Sequence, residues 1–456
     1  MMRERLAGVR EAVASLSPEG LLVGGFGGLV VAGTLLLWLP WARSGSTSLL
    51  DALFTATSAV CVTGLVVVDT GTDYTAFGQI VILLLIQAGG IGVMIFAGLA
   101  FLLLGHRLSL RARAALGSSM LQRDVASELR SIFGRILRFV LVAEGAGAVL
   151  IFIGLLPARG VAHAAYSAIF HSVSAFCNAG FSLYPDSLSG FRGNPLVLFT
   201  VMGLIVLGGI GHPVVVDVWQ RLRPRRGDRD GPRRLGLSSA VALWTSAALL
   251  LAGFALLLLF GSAHGGLPWS DRVLDALFQS VSARTAGFNT VDIGELGLAP
   301  LFVLVLLMFI GGSPGSCAGG IKTTTFTLWL AKLRSRLRGE KSPRLFGRHI
   351  PGEITRRVSM IIGIAVVWNL VGVLLLLAAE GERTDVGLHD VLFEQISAFG
   401  TVGLSTGLTP GLGAVARLWL VATMLVGRLG PLTIAMWIFA RKTPGIRYPE
   451  GRIMIG

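Results

Sequence analysis

The sequence predicts an all-α polytopic membrane protein: four pseudo-repeats of helix, pore loop and helix around one central pore, with eight transmembrane helices and four re-entrant half-helices. Three observations predict it. The 456 residues are 53% hydrophobic and 14% charged, with mean hydropathy +0.74, where a soluble domain carries about 25% charged residues. Basic clusters alternate with apolar, acid-bearing stretches along the whole chain. Four short segments resemble one another and each ends in glycine: Phe54-Thr-Ala-Thr-Ser-Ala-Val-Cys-Val-Thr-Gly64, Phe170-His-Ser-Val-Ser-Ala-Phe-Cys-Asn-Ala-Gly180, Phe278-Gln-Ser-Val-Ser-Ala-Arg-Thr-Ala-Gly287 and Phe393-Glu-Gln-Ile-Ser-Ala-Phe-Gly-Thr-Val-Gly403. Their glycines lie 116, 107 and 116 residues apart. A period of that length carries one supersecondary unit per copy, and divides the chain at 1–104, 105–222, 223–336 and 337–456.

The N-terminus is basic (Arg3, Arg5), and the first apolar run is too long for a signal-peptide core and lacks a small-residue cleavage pattern. It reads as a retained helix. The first helix of each repeat is expected at 20–41, 132–156, 238–261 and 355–379. The second is expected at 77–104, 196–222, 298–333 and 414–440. Between them, 51–59, 165–175, 271–283 and 389–398 are too short to span a bilayer and too apolar for exposed loops. They fit half-helices that dip into the membrane and return as extended backbone, which is tolerated at that depth only inside protein or along a water-filled cavity.

Charge sets the orientation. Of 39 Lys and Arg, 30 fall before residue 11, in 107–138, 221–234 and 332–357, and from Arg441 onward. Basic loops stay cytoplasmic, so both termini are expected inside and all four glycine segments outside. The outer stretches carry Asp51, Asp69, Asp73, Asp186, Asp271, Asp275, Asp292, Glu295, Glu380, Glu382, Asp385, Asp390 and Glu394. Such a face concentrates cations. The same distribution argues against nucleic acid as the reason for the net charge of +14. Cys61, Cys177 and Cys317 are too few for a disulfide framework and read as small apolar filler.

Four strips follow the half-helices: 60–65, 177–181, 284–288 and 400–404. Rings of backbone carbonyls replace a cation's water without placing a formal charge in its path. Glycine allows the backbone angles this needs, and half-helix C-termini add partial negative charge. The third strip is one residue shorter from Phe to Gly. Glycines also mark the second helices, at Gly89, Gly90 and Gly92, at Gly208, Gly209 and Gly211, and at Gly427 and Gly430, where small residues favour close packing. In the third repeat the helix itself must break, because Gly311, Gly312, Pro314, Gly315, Gly319 and Gly320 interrupt it. A flexible polar segment below a pore reads as a gate, with a static kink as the alternative, and this helix alone is expected to be broken. Two cations stand in apolar surroundings, Lys322 and Arg428, where charges are costly and usually functional. Arg428 suits bonding to carbonyls or hydroxyls freed in the broken segment, or a positive barrier below the filter; simple snorkelling to the inner surface is the alternative, and suits Lys322 better than Arg428.

Phe170-His-Ser-Val-Ser-Ala-Phe, Asn178-Ala-Gly-Phe, Arg284-Thr-Ala-Gly-Phe-Asn-Thr, Gly311-Gly-Ser-Pro-Gly, Gly319-Gly-Ile-Lys-Thr-Thr-Thr, Gly427-Arg-Leu-Gly-Pro-Leu-Thr and the ending Tyr448-Pro-Glu-Gly-Arg-Ile-Met-Ile-Gly together resemble the Trk/Ktr/HKT superfamily of potassium transporters, most closely its Ktr branch, from about residue 20 onward. The resemblance implies a selectivity filter of Val62, Thr63, Gly64, Asn178, Ala179, Gly180, Thr285, Ala286, Gly287, Thr401, Val402 and Gly403, with K⁺ at the carbonyls of Gly64, Gly180, Gly287 and Gly403. Glycine at all four positions resembles the potassium-selective pattern, and Ser at the first that of sodium-permeable plant relatives. It implies a gate of Gly311, Gly312, Ser313, Pro314, Gly315, Ser316, Gly319, Gly320 and Lys322, with Arg428 as its contact. It further implies K⁺ as cargo, Na⁺ as activator, a homodimer in the bacterial inner membrane, and a KtrA-like cytosolic ring that binds the nucleotide in place of this chain. The basic 221–234 loop reads as solvated linker or as a docking site for that ring, and Cys61 and Cys177 as filter-tuning or inert.

Three other readings compete. A proton-coupled Trk-type transporter shares the fold. A secondary transporter of an organic solute wants inverted repeats, whereas these four strips share one face. An intramembrane enzyme has little to work with: there is no HExxH, the Gly-x-Ser-x-Gly spelling at Gly311–Gly315 lies in an interrupted apolar span and not at a strand-to-helix elbow, and Ser313 and Ser316 have no evident base. No enzymatic activity is expected.

Overall fold

The computed structural model describes residues 18–105, 118–157, 160–222, 235–261, 268–340, 342–380 and 386–434. The N-terminal basic cluster, the Tyr448–Gly456 ending and most of the 221–234 loop lie outside the described residues, as do Glu382 and Asp385.

Four triplets of helices follow one another. The first holds α1 (Pro18–Trp38), α2 (Leu49–Val60) and α3 (Ala76–Gly105). The second holds α4 (Ser118–Leu155), α5 (Val161–Phe176) and α6 (Pro195–Ile210), continued by α7 (His212–Leu222). The third holds α8 (Leu237–Phe260), α9 (Trp269–Ser282) and α10 (Leu298–Phe309), with α11 (Thr323–Leu337) after a break. The fourth holds α12 (Gly352–Glu380), α13 (Leu388–Gly400) and α14 (Ala414–Leu429).

Local chemistry starts these elements where expected. Ser48 and Asp51 form a reciprocal capping box on α2. Asn194 caps α6 ahead of Pro195, and Asp390 bonds the Gly387 amide at the head of α13 at 3.1 Å. Four of the described helices are long and apolar enough to cross a membrane, five if the bent pair α6–α7 counts as one. The other expected spans are α1, the interrupted α10 and α11, and α14; residues 435–440 of the last expected span lie outside the described residues. α4 starts 14 residues before the expected 132, because the charged 118–131 stretch extends the helix beyond its apolar part, Phe133–Leu155.

Within each triplet the two longer helices and the short one touch pairwise. Each triplet also grips the next: α3 packs on α5, α6 on α9, α10 on α13, and α14 returns to α2. The short helices are therefore the inner layer. Their repeated phenylalanines, Phe54, Phe170, Phe278 and Phe393, are all 0% exposed.

The glycines of the longer helices explain how closely the layers meet. A Cβ on Gly89, Gly208 or Gly427 would collide with the carbonyl of Val60, Phe176 or Phe399, the last turn of a short helix in each case. Only a residue without Cβ lets the helix lie there.

The expectation that only the third repeat has a broken second helix is corrected. Gly211 stands at φ 88° and Gly430 at φ 89°, and α6 and α14 end at them. The chain turns 97° between α6 and α7. Pro213 and Pro431 follow these glycines and lack the amide a continuous helix needs. Gly92, the counterpart in the first triplet, stays helical and has no proline after it. The basic 332–357 stretch is not only loop: β1 (Arg344–Leu345) and β2 (Arg348–His349) form a hairpin about Phe346 and Gly347, both at positive φ.

Gly208→Ala is expected to lower stability by about 1–3 kcal/mol through overpacking. Gly92→Ala, whose Cβ meets nothing within 4 Å, should leave it unchanged or slightly raised. Thermal unfolding of the two purified variants checks this; equal melting temperatures would refute the close-approach role.

Candidate functional site: four glycine strips and the loop beneath them

Each short helix ends at a strip whose backbone alternates in hand. Gly64, Gly180, Gly287 and Gly403 have φ of 90°, 69°, 79° and 93°. Two residues earlier, Val62, Asn178, Thr285 and Thr401 are also left-handed, at 57°, 60°, 75° and 49°, while the residues between are not. Left-handed backbone at Val62, Thr285 and Thr401 costs about 1–3 kcal/mol each, and such strain persists only where surroundings over-determine it.

One serine per repeat does much of that. Ser58, Ser174, Ser282 and Ser397 sit four residues after the repeated phenylalanines. Their carbonyls accept the amides of Thr63, Ala179, Ala286 and Val402 at 2.7–2.9 Å. Their hydroxyls also reach the strip. Ser58 accepts from the Gly64 amide at 3.0 Å. Ser174 donates to the Phe181 carbonyl at 2.8 Å, Ser282 to that of Phe288 and Ser397 to that of Leu404 at 2.6 Å. The Ser-Ala pattern was visible in the sequence, but the role of the hydroxyl was not.

The four strips meet in a closed cycle. A Cβ on Gly64 would strike the Ala179 carbonyl, on Gly180 that of Ala286, on Gly287 that of Val402, and on Gly403 that of Thr63. The second and third strips are further tied through Asn178. Its amide nitrogen faces the carbonyls of Ile205 and Phe176 at 3.2 Å each, leaving its oxygen for the Thr285 hydroxyl at 3.3 Å. All expected strip residues thus lie in one assembly.

Above the ring opens a cavity of about 580 Å³, lined by all four glycines and by Asp69, Asp186, Asp292 and Glu295. Other acids expected to face incoming cations are engaged elsewhere. Asp51 pairs with Arg417 at 2.5 Å, and Asp275 with Arg192 at 3.0 Å. Glu380 accepts the Gly413 amide at 2.6 Å. Glu394, fully buried, accepts from Ser405, Thr406 and Thr409 at 2.5–3.0 Å. These brace the loops around the opening.

Against the other side of the strips lies the interruption between α10 and α11. Ile310 and Ile321 pair as a parallel bridge, which makes the segment between them a folded-back loop. A Cβ on Gly319 would strike the Thr401 side chain, and one on Gly311 would stand 3.4 Å from that of Thr285. The loop takes backbone partners from the other helix breaks: Ser313 and Cys317 donate to the carbonyls of Gly209 and Gly208 at 3.0 and 3.2 Å, and Gly320 donates to that of Gly427 at 3.3 Å. Ser316 holds the turn through the Ser313 carbonyl at 2.6 Å, with Pro314 and Gly315 between them. Arg428, 4% exposed, donates to the Cys317 carbonyl and, at 2.8 Å, to that of Gly89. Lys322, half-buried at the head of α11, bonds the Ala318 carbonyl through its ammonium.

Sequence reasoning places Arg284 at the head of the third strip and gives its side chain no role of its own. It is 8% exposed and donates to the Gly311 carbonyl at 3.2 Å, so the third strip is joined directly to the loop. A cation at the head of the strip, where the other three strips begin with Val60, Cys177 and Gly400, was the available signal.

A family model described as TrkH, cation transport protein, matches residues 26–445. Ktr system potassium uptake protein B of Vibrio alginolyticus is 37% identical over 98% of this chain and 97% of its own length. Potassium/sodium uptake protein NtpJ of Enterococcus hirae is 36% identical over 97% and 98%. The crystal structure of the potassium transporter TrkH from Vibrio parahaemolyticus matches with a TM-score of 0.72 over 93% of this chain and 85% of that one. At 19% identity that likeness is one of fold.

Replacing Ser397 by Ala leaves the buried Leu404 carbonyl and the Gly403 amide (3.1 Å from its oxygen) without this partner. The expected cost is about 1–3 kcal/mol, seen as a lower unfolding temperature that Ser397→Thr partly restores. A Ser397→Ala protein as stable as wild type would remove the serine from the support of the strip.

Proposed function

The chain belongs to the TrkH family of cation transport proteins, and on that premise we propose that it is a potassium-selective uptake subunit of Ktr type, with one pore running through the glycine ring. The observation that carries this reading is the closed cycle of four left-handed glycines beneath an acid-lined opening. Acids at the mouth raise the local concentration of cations. At the ring, carbonyls from Gly64, Gly180, Gly287 and Gly403 exchange for the ion's water, assisted by those of Val62, Thr63, Asn178, Ala179, Thr285, Ala286, Thr401 and Val402. Alternating backbone hand lets successive carbonyls turn to one side. The C-termini of α2, α5, α9 and α13, aimed at the strips, add partial negative charge without a fixed anion that would trap the ion. The four triplets act as repeats 1–104, 105–222, 223–336 and 337–456, supplying eight spans and four re-entrant helices.

The loop between α10 and α11 is the gate in this reading. It presses on the third and fourth strips, and its hydrogen bonds come from carbonyls that other helix breaks leave free. Each can be released singly, so the loop can move without unfolding a helix. Arg428 pins its middle. The protein sits in the bacterial inner membrane as a homodimer with cytoplasmic termini, is activated by Na⁺ and docks a cytosolic ring that carries the nucleotide. The dual name of its Enterococcus relative, potassium/sodium uptake protein, supports a part for sodium.

Gly64→Ser is expected to weaken discrimination against sodium, measured as the K⁺/Na⁺ permeability ratio in proteoliposomes; an unchanged ratio removes Gly64 from the filter. Deleting residues within 311–320 should raise K⁺ flux without any regulatory partner, and flux that stays low and regulated contradicts the gate. Potassium-limited growth of an uptake-deficient bacterium, with and without sodium and a regulatory subunit, tests the function as a whole.

A further inference from the structure

Beside the loop lies a second cavity, of about 200 Å³, between α6 and α8. Ile205, Ile210, Leu243 and Leu250 make its walls apolar, Gly312 brings the loop to its edge, and Arg284 stands at the third strip. Ala247, also on its wall, is exposed, as are Trp244 and Leu251 on the same helix. The cavity therefore communicates with the lateral, apolar surroundings of the protein.

Arg284 is out of balance in this setting. A guanidinium offers five N–H donors. Arg284 makes two bonds, both to backbone carbonyls: 3.4 Å to Ser246 and 3.2 Å to Gly311. Its Nε has no partner, and no carboxylate among the described residues lies within ion-pair distance of it. The partly buried Arg192 and Arg417 each have an aspartate. A buried cation without an anion is costly, and more so within a membrane. An apolar chamber reached from the side and ending at an unneutralised guanidinium suits an amphiphile with a negative head.

We propose that this cavity binds the carboxylate of a fatty acid at Arg284, with the acyl chain lying between α6 and α8. Binding supplies the missing counter-charge and fills the room beside Gly312, so the loop has less space to move and flux falls. The effect on flux rests on the gate reading given above; the binding does not.

The test uses the full chain in proteoliposomes and a diazirine-bearing decanoate, with crosslinks mapped by mass spectrometry and K⁺ flux recorded in parallel. The expected result is saturable labelling within 205–210 and 243–250, displaced by excess decanoate and not by decanol. Arg284→Gln should weaken displacement by decanoate about tenfold or more, the loss of one charge-assisted hydrogen bond. Arg284→Lys, which keeps the charge, should retain part of it. Ala247→Phe, which fills the mouth without touching the arginine or the loop, should abolish labelling and leave flux without decanoate unchanged. Labelling spread evenly over the outer helices, equal competition by decanol, or the same displacement in Arg284→Gln would overturn the site. Site-specific labelling with unaltered flux supports the site and counts against the gate reading alone.

Discussion

Everything in this molecule depends on four places where a carbon atom is missing. At Gly64, Gly180, Gly287 and Gly403, the α-carbon of one strip approaches the carbonyl of the next so closely that any Cβ would collide. The left-handed φ at each would strain other residues as well. Steric and conformational demands thus coincide on one residue type. The serine bonds, the buried phenylalanines and the close seat of α3, α6 and α14 on the short helices hold those four α-carbons in mutual contact. A second set of missing side chains, Gly89, Gly208 and Gly427, lets the outer layer approach.

Much of this was legible in the sequence, and for identifiable reasons. Hydropathy marks long helices because a bilayer-length apolar run has few soluble uses. The short helices were legible because 9–13 residues cannot span a membrane. The strip residues were legible because four copies of Phe-x-x-x-Ser-Ala before a glycine vary little in spacing. The third copy, one residue shorter, still brings Gly287 into the cycle. It does so with a different turn: both the Ala286 and Gly287 amides converge on the Ser282 carbonyl.

The rest was hidden because it depends on what meets what in space. Gly211 and Gly430 looked like packing glycines, and only the prolines behind them hinted at breaks. The acids Asp51, Asp275, Glu380 and Glu394 looked like a cation-attracting face. Their partners, Arg417, Arg192, the Gly413 amide and the Ser405–Thr409 turn, come from up to 366 residues away. Arg284 was read as part of a strip, and its reach to Gly311 follows from the fold of the loop and not from spacing.

The cycle of strips has a seam. Arg417 meets Asp51 across 366 residues and Arg428 meets the Gly89 carbonyl across 339, so the first triplet finds its final neighbour only when the fourth exists. At roughly 5–20 residues per second of synthesis, the first strip and its half-helix stand for the better part of a minute as the open end of an arc. Through that interval Gly403 is not yet there to cover Thr63, and the first strip is held from one side only, by its own serine, by α3 and by the second strip. The nascent protein is thus an incomplete circle whose two ends must be kept near each other within the plane of the membrane.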